Sequence, residues 1–448
     1  MFTEAQIQQL APKESAFKAG KKLGHAQKWE SLARSERAIW GSIKGSGKKP
    51  YLTQIDTTNL AYKCTCPSRQ FPCKHAIGLL LVLSQDQAAI APTEEPEYVA
   101  DWMDKRTQRA EKIDKEEKEL TEEEKQKKST AKAKRQHSKL ELTLAGVAEL
   151  KLWLKDLMRI GILELPNRPP GYFDALMKRM VDAKAPRLAG WIRALRDLPF
   201  KDQHLWQNGA IDIISKLFLL IKAAENLDQY PKADQQAIQG LLGWTFNQKE
   251  IAADENSRSV KDQWLVLGSE EEIQDDLTIL RYWLYGLASG EDALIIRFQN
   301  KFTNSTQEIP LVDGSVTEAE LVFHPGLVPH RAFIKKQKEV HLSLPHLPPS
   351  YPAWAPFQAD FIQTVQQDPW TNLRAGIVDH IQLVKKDHAL MLVDANNHYQ
   401  PVSAALDEDK ISTLLINATG EPVKLSFVRR NDGMMPLGLF TDKSYQVL

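Results

Sequence analysis

The chain has 448 residues, too many for one core of ordinary size, so two to four domains are expected. Apolar residues make up 42% and charged residues 26%, proportions usual in soluble globular protein. Lys+Arg and Asp+Glu both total 58; this balance argues against a uniformly basic nucleic-acid binder but allows a basic domain offset by an acidic remainder.

The N-terminal stretch MFTEAQIQQLAPKES lacks the basic segment and apolar core of an export signal. The purest apolar runs, Ile77–Leu83 and Ile211–Ile221, are too short for a membrane span. A cytoplasmic protein without membrane contact is expected. The sequence holds three cysteines, all between residues 64 and 73. An odd cluster of this kind points to metal rather than to disulfides.

In chain order, residues 1–90 read as a small α/β unit. A helix is expected over about 12–38, then strands at Ala38–Ile43 and Pro50–Asp56 joined by the turn-forming KGSGKK, and a third strand at Leu60–Cys64. A helix follows from Lys74 to Gln85. Residues 91–140 form a charged, helical linker dense in Glu and Lys, with apolar positions too sparse for a coiled-coil seam. Residues 141–255 repeat apolar side chains at three- and four-residue steps between prolines, which predicts a helical domain. Residues 256–448 read as mixed and β-rich. Strands are expected at WLVLG, ALIIRFQ, AELVFHPG, GIVDHIQLVK, HALMLVDANN, KLSFVRR and LGLF, with one early helix over Glu270–Leu287 and a proline-rich break near residue 350. The fold class is thus α+β and multidomain: a small zinc-stapled ββ(β)α unit, a central helical domain and a mostly-β C-terminal region.

The segment that carries chemistry is Cys64-Thr-Cys66-Pro-Ser-Arg-Gln-Phe-Pro-Cys73-Lys-His75, followed by the apolar run AIGLLLVL. Three thiolates and one imidazole form a closed tetrahedral shell for structural zinc, one ion, and leave no position open for catalysis. Residues i and i+2 of a strand face one side but lie ~6.6 Å apart. Two sulfurs on one zinc sit only ~3.8 Å apart, given Zn–S bonds of about 2.3 Å. The strand must therefore curl after Cys64, and Pro67 suits the turn. Cys73 and His75 arrive at the start of the next helix, where Pro72 is tolerated. That helix N-terminus, with Lys63, Arg69 and Lys74, offsets the net negative charge of the metal cluster.

This pattern, C-x-C-x6-C-x-H, resembles the SWIM zinc finger. With WGSIKGSGKKPY at residues 40–51, residues 10–85 resemble bacterial SWIM-domain proteins of unassigned role, and WLVLG, LRYWLYG and STLLINATGEPVKLSFVRRNDGMMPLGLF are similar to later parts of the same proteins. The resemblance implies zinc binding with nucleic-acid or protein contact, as in parts of Mutator-type transposases, chromatin-remodelling ATPases and recombination accessory proteins. It also implies a possible alternative partnership with MoxR-type AAA ATPases and von Willebrand A-domain proteins, without nucleic-acid contact.

Residues 1–75 hold thirteen Lys and Arg against five Asp and Glu, a net +8, and the remainder carries −8. Lys18, Lys21, Lys22 and His25 fall at helical spacing on one face, and Lys44, Lys48 and Lys49 flank the hairpin tip. These lysines are candidate phosphate or partner contacts; the alternative is a solvated face, with Trp29, Trp40, Tyr51 and Tyr62 packing in a small core. The split charge also suits docking to an acidic protein.

Signatures of catalysis are missing. GSIKGSGKK at 41–49 departs from phosphate-loop spacing, and no G-x-S-x-G, H-E-x-x-H or G-x-G-x-x-G occurs. Glu270–Glu272 and Asp275-Asp276 suit a helix start. His324, His330, His341 and His346 lie in turns or near prolines. Arg281, Tyr282, Trp283 and Tyr285 suit core packing. The expected role is a non-catalytic zinc-binding protein whose C-terminal part acts as a scaffold, ahead of an enzyme with a site in residues 256–448.

Overall fold

The computed structural model describes residues 4–45, 49–57, 61–68, 72–116, 122–201, 203–274, 277–300, 311–341, 344–387, 389–418, 420–441 and 444–448. The chain begins with helices α1 (Glu4–Leu10) and α2 (Glu14–Lys21) and a 3-10 turn at Ala26–Lys28. Strands β1 (Ser31–Arg34), β2 (Ala38–Ile43), β3 (Tyr51–Asp56) and β4 (Ala61–Cys64) follow, then helix α3 (Lys74–Gln85) and the short strand β5 (Ala91–Pro92). The sheet runs β4-β3-β2-β1-β5, antiparallel except for β1 with β5. Ile39, Ile43 and Ile55 face α3, which is buried nearly all round through Ile77, Leu79, Leu80 and Leu81.

The single helix expected over 12–38 is corrected. It stops at Lys21, and residues 31–34 form a further strand. Glycine is a weak helix former, and Gly20 and Gly24 sit where this segment touches α3. A Cβ at Gly20 would lie 2.5 Å from Ile77 Cγ2, and one at Gly24 would lie 2.8 Å from Leu81 Cβ. Trp29 is then drawn into the core, its Nε1 donating to the Leu23 carbonyl at 2.9 Å. Gly20→Ala is expected to destabilise this unit by ~1–3 kcal/mol, the usual cost of overpacking, read as a lower midpoint in thermal unfolding.

The second face of the sheet is covered as well. Helix α4 (Glu97–Glu116) lays Val99 and Met103 on Ala38 and Trp40. Arg37 forks onto Glu95 at 2.9 and 2.7 Å and reaches Asp104 at 3.1 Å, while Arg106 meets buried Asp56 at 3.3 Å. The stretch that reads as a charged linker therefore contributes its first turns to this unit.

Helix α5 (Glu122–Ile160) leads into a 3-10 segment at Ile162–Asn167 and helices α6 (Pro170–Asp182), α7 (Pro186–Arg196), α8 (Gln203–Glu225), α9 (Lys232–Leu242) and α10 (Gln248–Ala253). Pro170 and Pro186 occupy first-turn positions, where the missing N–H costs nothing. Gly243 closes α9 in the left-handed region at φ 111°. Leu150, Leu157, Leu188, Ile192, Leu217 and Leu220 form the bundle core.

The remaining chain forms a barrel and a sheet. Strands β6 (Ser259–Gln274), β7 (Leu277–Gly286), β8 (Asp292–Asn300), β9 (Val316–Phe323) and β10 (Arg331–His341) close in the order β10-β8-β7-β6-β9. The long β6 pairs with β9 through its first half and with β7 through its second, with a bulge between Val266 and Gly268. β8 and β10 run parallel. This connectivity is that of the five-stranded Greek-key barrels called OB-folds. The helix expected over Glu270–Leu287 is corrected to the β6–β7 hairpin. Its β-branched and aromatic residues pair across strands, Tyr282 with Ser269 and Ile279 with Glu272. Glu270 and Glu272 are not helix-start acids: Glu270 meets Arg430 at 3.0 Å and Glu272 meets Arg281 at 2.7 Å. Asp275 and Asp276 lie outside the described residues.

After the proline-rich connector come helix α11 (Trp354–Gln367), strands β11 (Arg374–Lys386), β12 (Ala389–Val393) and β13 (Tyr399–Pro401), helix α12 (Glu408–Ala418), and strands β14 (Val423–Arg430), β15 (Gly433–Phe440) and β16 (Tyr445–Val447). The sheet order is β13-β12-β11-β14-β15-β16. Barrel and sheet share one core: Leu265, Trp283, Tyr285 and Leu294 on the outside of the barrel pack with Trp354, Phe357, Ile377 and Phe427. At the margin of this joint Arg374 meets Asp292 at 3.2 Å and Asp360 at 3.1 Å, and donates to the Thr364 hydroxyl at 2.7 Å. Tyr351 donates to Asp360 at 2.7 Å, and burial pushes its hydroxyl pKa up. Among the described residues, no helix is long and apolar enough to cross a membrane.

Candidate metal centre

Two elements bring the four ligand residues together. β4 ends on Cys64, and the chain bends at Cys66 and Pro67. Cys73 is the residue before the first turn of α3, with extended φ and ψ, and His75 lies inside that turn. The Cys64, Cys66 and Cys73 sulfurs and a ring nitrogen of His75 all lie within 4.8 Å of one another. His75 Nδ1 is 3.6 Å from the Cys64 sulfur and 3.9 Å from that of Cys73. These separations match the ~3.8 Å between ligand atoms on one tetrahedral zinc.

The surroundings favour ionised sulfur. Backbone N–H groups of Cys66, Ser68 and Ala76 donate to the sulfurs of Cys64, Cys66 and Cys73, and the Thr53 hydroxyl lies 3.1 Å from Cys64. Such outer contacts orient metal ligands and hold their charge. The thiols are strongly coupled. A hydrogen bond from Cys73 holds Cys64 down to about 3, and the same bond raises Cys73; Cys66 is raised, first by burial. Thiols so close cannot all ionise unaided, and a divalent cation removes that obstacle. The donor set therefore fits zinc. Tyr51 packs its ring against His75 with centroids 5.1 Å apart, tying the β2–β3 hairpin to the cluster.

Residues 51–84 match the SWIM zinc finger family, and residues 138–242 match the SWIM-associated four-helix bundle domain. It is a SWIM-domain protein. The first match runs from the start of β3 through the ligands into α3, and the second covers the end of α5 and α6 to α9. No curated protein and no solved structure matches the chain.

The SWIM unit distributes its lysines unevenly. Lys18 is bridged to Glu14 at 2.6 Å and Lys21 to Glu4, so both charges are locally offset. Lys22, Lys44 and Lys49 are exposed. Lys48 and Arg69 lie outside the described residues. His25, expected on the lysine face of one continuous helix, lies beyond the end of α2. Sequence reasoning used Lys63 and Lys74 only as charges near the metal. Both are exposed and next to ligands in the chain, and Lys44 and Lys49 are exposed at the end of the β2–β3 hairpin. Their adjacency to Cys64 and His75 was the signal available in the sequence. Trp29 and Trp40 are buried, as core packing requires. Of the histidines placed in turns or near prolines, His324 is packed edge-on to Phe333 at 5.3 Å, and burial lowers its pKa to about 4.

Proposed function

We propose that this SWIM-domain protein is a non-catalytic binding protein in which the zinc-stapled unit contacts nucleic acid and the large C-terminal part acts as scaffold. The observation that supports this reading most is the set of lysines next to the metal ligands and at the β2–β3 hairpin tip, Lys44, Lys49, Lys63 and Lys74; all four are exposed and without an ion pair among the described residues. The four-ligand shell leaves zinc no open position for chemistry, so the metal serves to hold that surface in shape.

The test is a gel-shift and salt series on the full chain with single-stranded and duplex DNA and with RNA. Changing the four lysines to alanine should weaken binding at least tenfold. It should also reduce the slope of log K against log salt by about three, since each phosphate contact contributes ~0.7–0.9. Zinc content should stay unchanged. Wild-type protein that binds none of these nucleic acids, or a variant with an unaltered slope, would remove the claim. An ATPase recovered with the protein after nuclease treatment would then favour the adaptor reading.

A further inference from the structure

A groove of about 420 Å³ opens where the bundle meets the barrel, between the start of the bundle part of α5, helices α9 and α10, and the β9–β10 loop at Pro325. Its size falls within the ~300–1,000 Å³ of ligand sites, which favour domain junctions. Its apolar side is formed by Leu140, Trp244, Phe246 and Ile251. Trp244 is fixed there: its Nε1 donates to Thr143 Oγ1 at 3.3 Å, and that hydroxyl donates to the Lys139 carbonyl at 2.9 Å.

The polar wall is unusual in chemistry. It consists largely of carboxamides: Gln136, Gln235, Gln236, Gln239 and Asn247. Gln235 donates to the Tyr230 carbonyl, and Asn247 caps α10 by accepting from the Lys249 N–H. Gln136, Gln236 and Gln239 have no side-chain hydrogen bond among the described residues. Each carboxamide presents a donor and an acceptor in one plane, the same pair that a peptide group presents. Gln236 and Gln239 stand one turn apart on α9, with ~5–6 Å between Cβ atoms. Groups on one side of an extended peptide repeat every ~6.6 Å, within reach of such side chains.

We infer that this groove binds a short extended peptide segment of a partner protein through its main chain, with the glutamine amides as the clamp. Nucleic acid is disfavoured here. Glu250 and Asp254 line the groove against Lys232 and His137, which leaves no surplus of positive charge to hold a phosphodiester. The site is separate from the exposed lysines of the zinc unit, so either can fail without the other.

The test passes a randomised mixture of acetyl-hexapeptide-amides over immobilised full-length protein and identifies retained peptides by mass spectrometry. A subset should be retained, and Gln236→Ala with Gln239→Ala should lower retention at least tenfold while far-UV circular dichroism stays the same. Gln236→Glu with Gln239→Glu keeps the side-chain size, removes the N–H donors and should lose binding similarly. No retained peptide, retention at the wild-type level in either double variant, or preferential retention of N-acetylglucosamine oligomers run in parallel would overturn the assignment.

Discussion

Cys73→Ser is expected to reduce bound zinc from one equivalent to a small fraction and to unfold residues 31–85 while the bundle and β-rich body stay folded. Cys73 is the most telling ligand to change. It is 2% exposed, its sulfur takes an N–H from the first turn of α3, and it hydrogen-bonds Cys64. A structural zinc site contributes ~10–16 kcal/mol of apparent free energy in small zinc-finger peptides, far more than a small sheet with one buried helix keeps in reserve. Elemental analysis checks the metal, and hydrogen exchange by mass spectrometry checks where protection is lost. A chelator should reproduce the effect on wild type. Acid should do so too, because protons compete for thiolate and imidazole, so the metal is held at neutral pH and released as pH falls. Full protection of β2, β3 and α3 in zinc-free protein would refute the claim that metal holds the unit together.

Arg374→Met is expected to cost about 3–5 kcal/mol in urea unfolding of the C-terminal body. The guanidinium sits between Asp292 and Asp360, and the Asp292 side chain is only 7% exposed. Asp292 Oδ2 already lacks a hydrogen-bond partner among the described residues, so the carboxylate depends on Arg374 for its compensation. Removing the cation leaves a buried charge, which is worse than removing both partners. The double variant Arg374→Met with Asp292→Asn should therefore regain more than half of the loss. Equal stability of the single variant and wild type would show that the pair contributes nothing at this joint.

The metal centre was legible because its chemistry is local. Four ligand types within twelve residues, a strand before and a helix after, suffice to derive the cluster without long-range information. The bundle was legible for a similar reason: helical periodicity is strong over residues 141–225, and prolines mark its joints. The β6–β7 hairpin was not, because ILRYWLYGL offers apolar residues at both two- and four-residue steps, and three glutamates ahead of it imitate a helix start. Cross-strand pairing, which sequence periodicity does not report, decided the outcome. Helices α11 and α12 were missed among surrounding strand signals; α11 owes its burial to Phe427 and Ile377, contributed from far along the chain. The groove amides were invisible as a set because Gln136 on α5 and Gln239 on α9 lie far apart in the chain and meet only as walls of one groove.

In OB-type barrels the outer wall of the second and third strands is the customary seat for oligonucleotides or sugars. Here Trp283, Tyr285 and Leu294 on that wall are committed to the neighbouring sheet. The chain has filled its own berth. The two C-terminal lobes should consequently melt as one piece, with the denaturant sensitivity of a body of some two hundred residues rather than that of two smaller halves. A ligand of this protein would have to be held elsewhere on its surface.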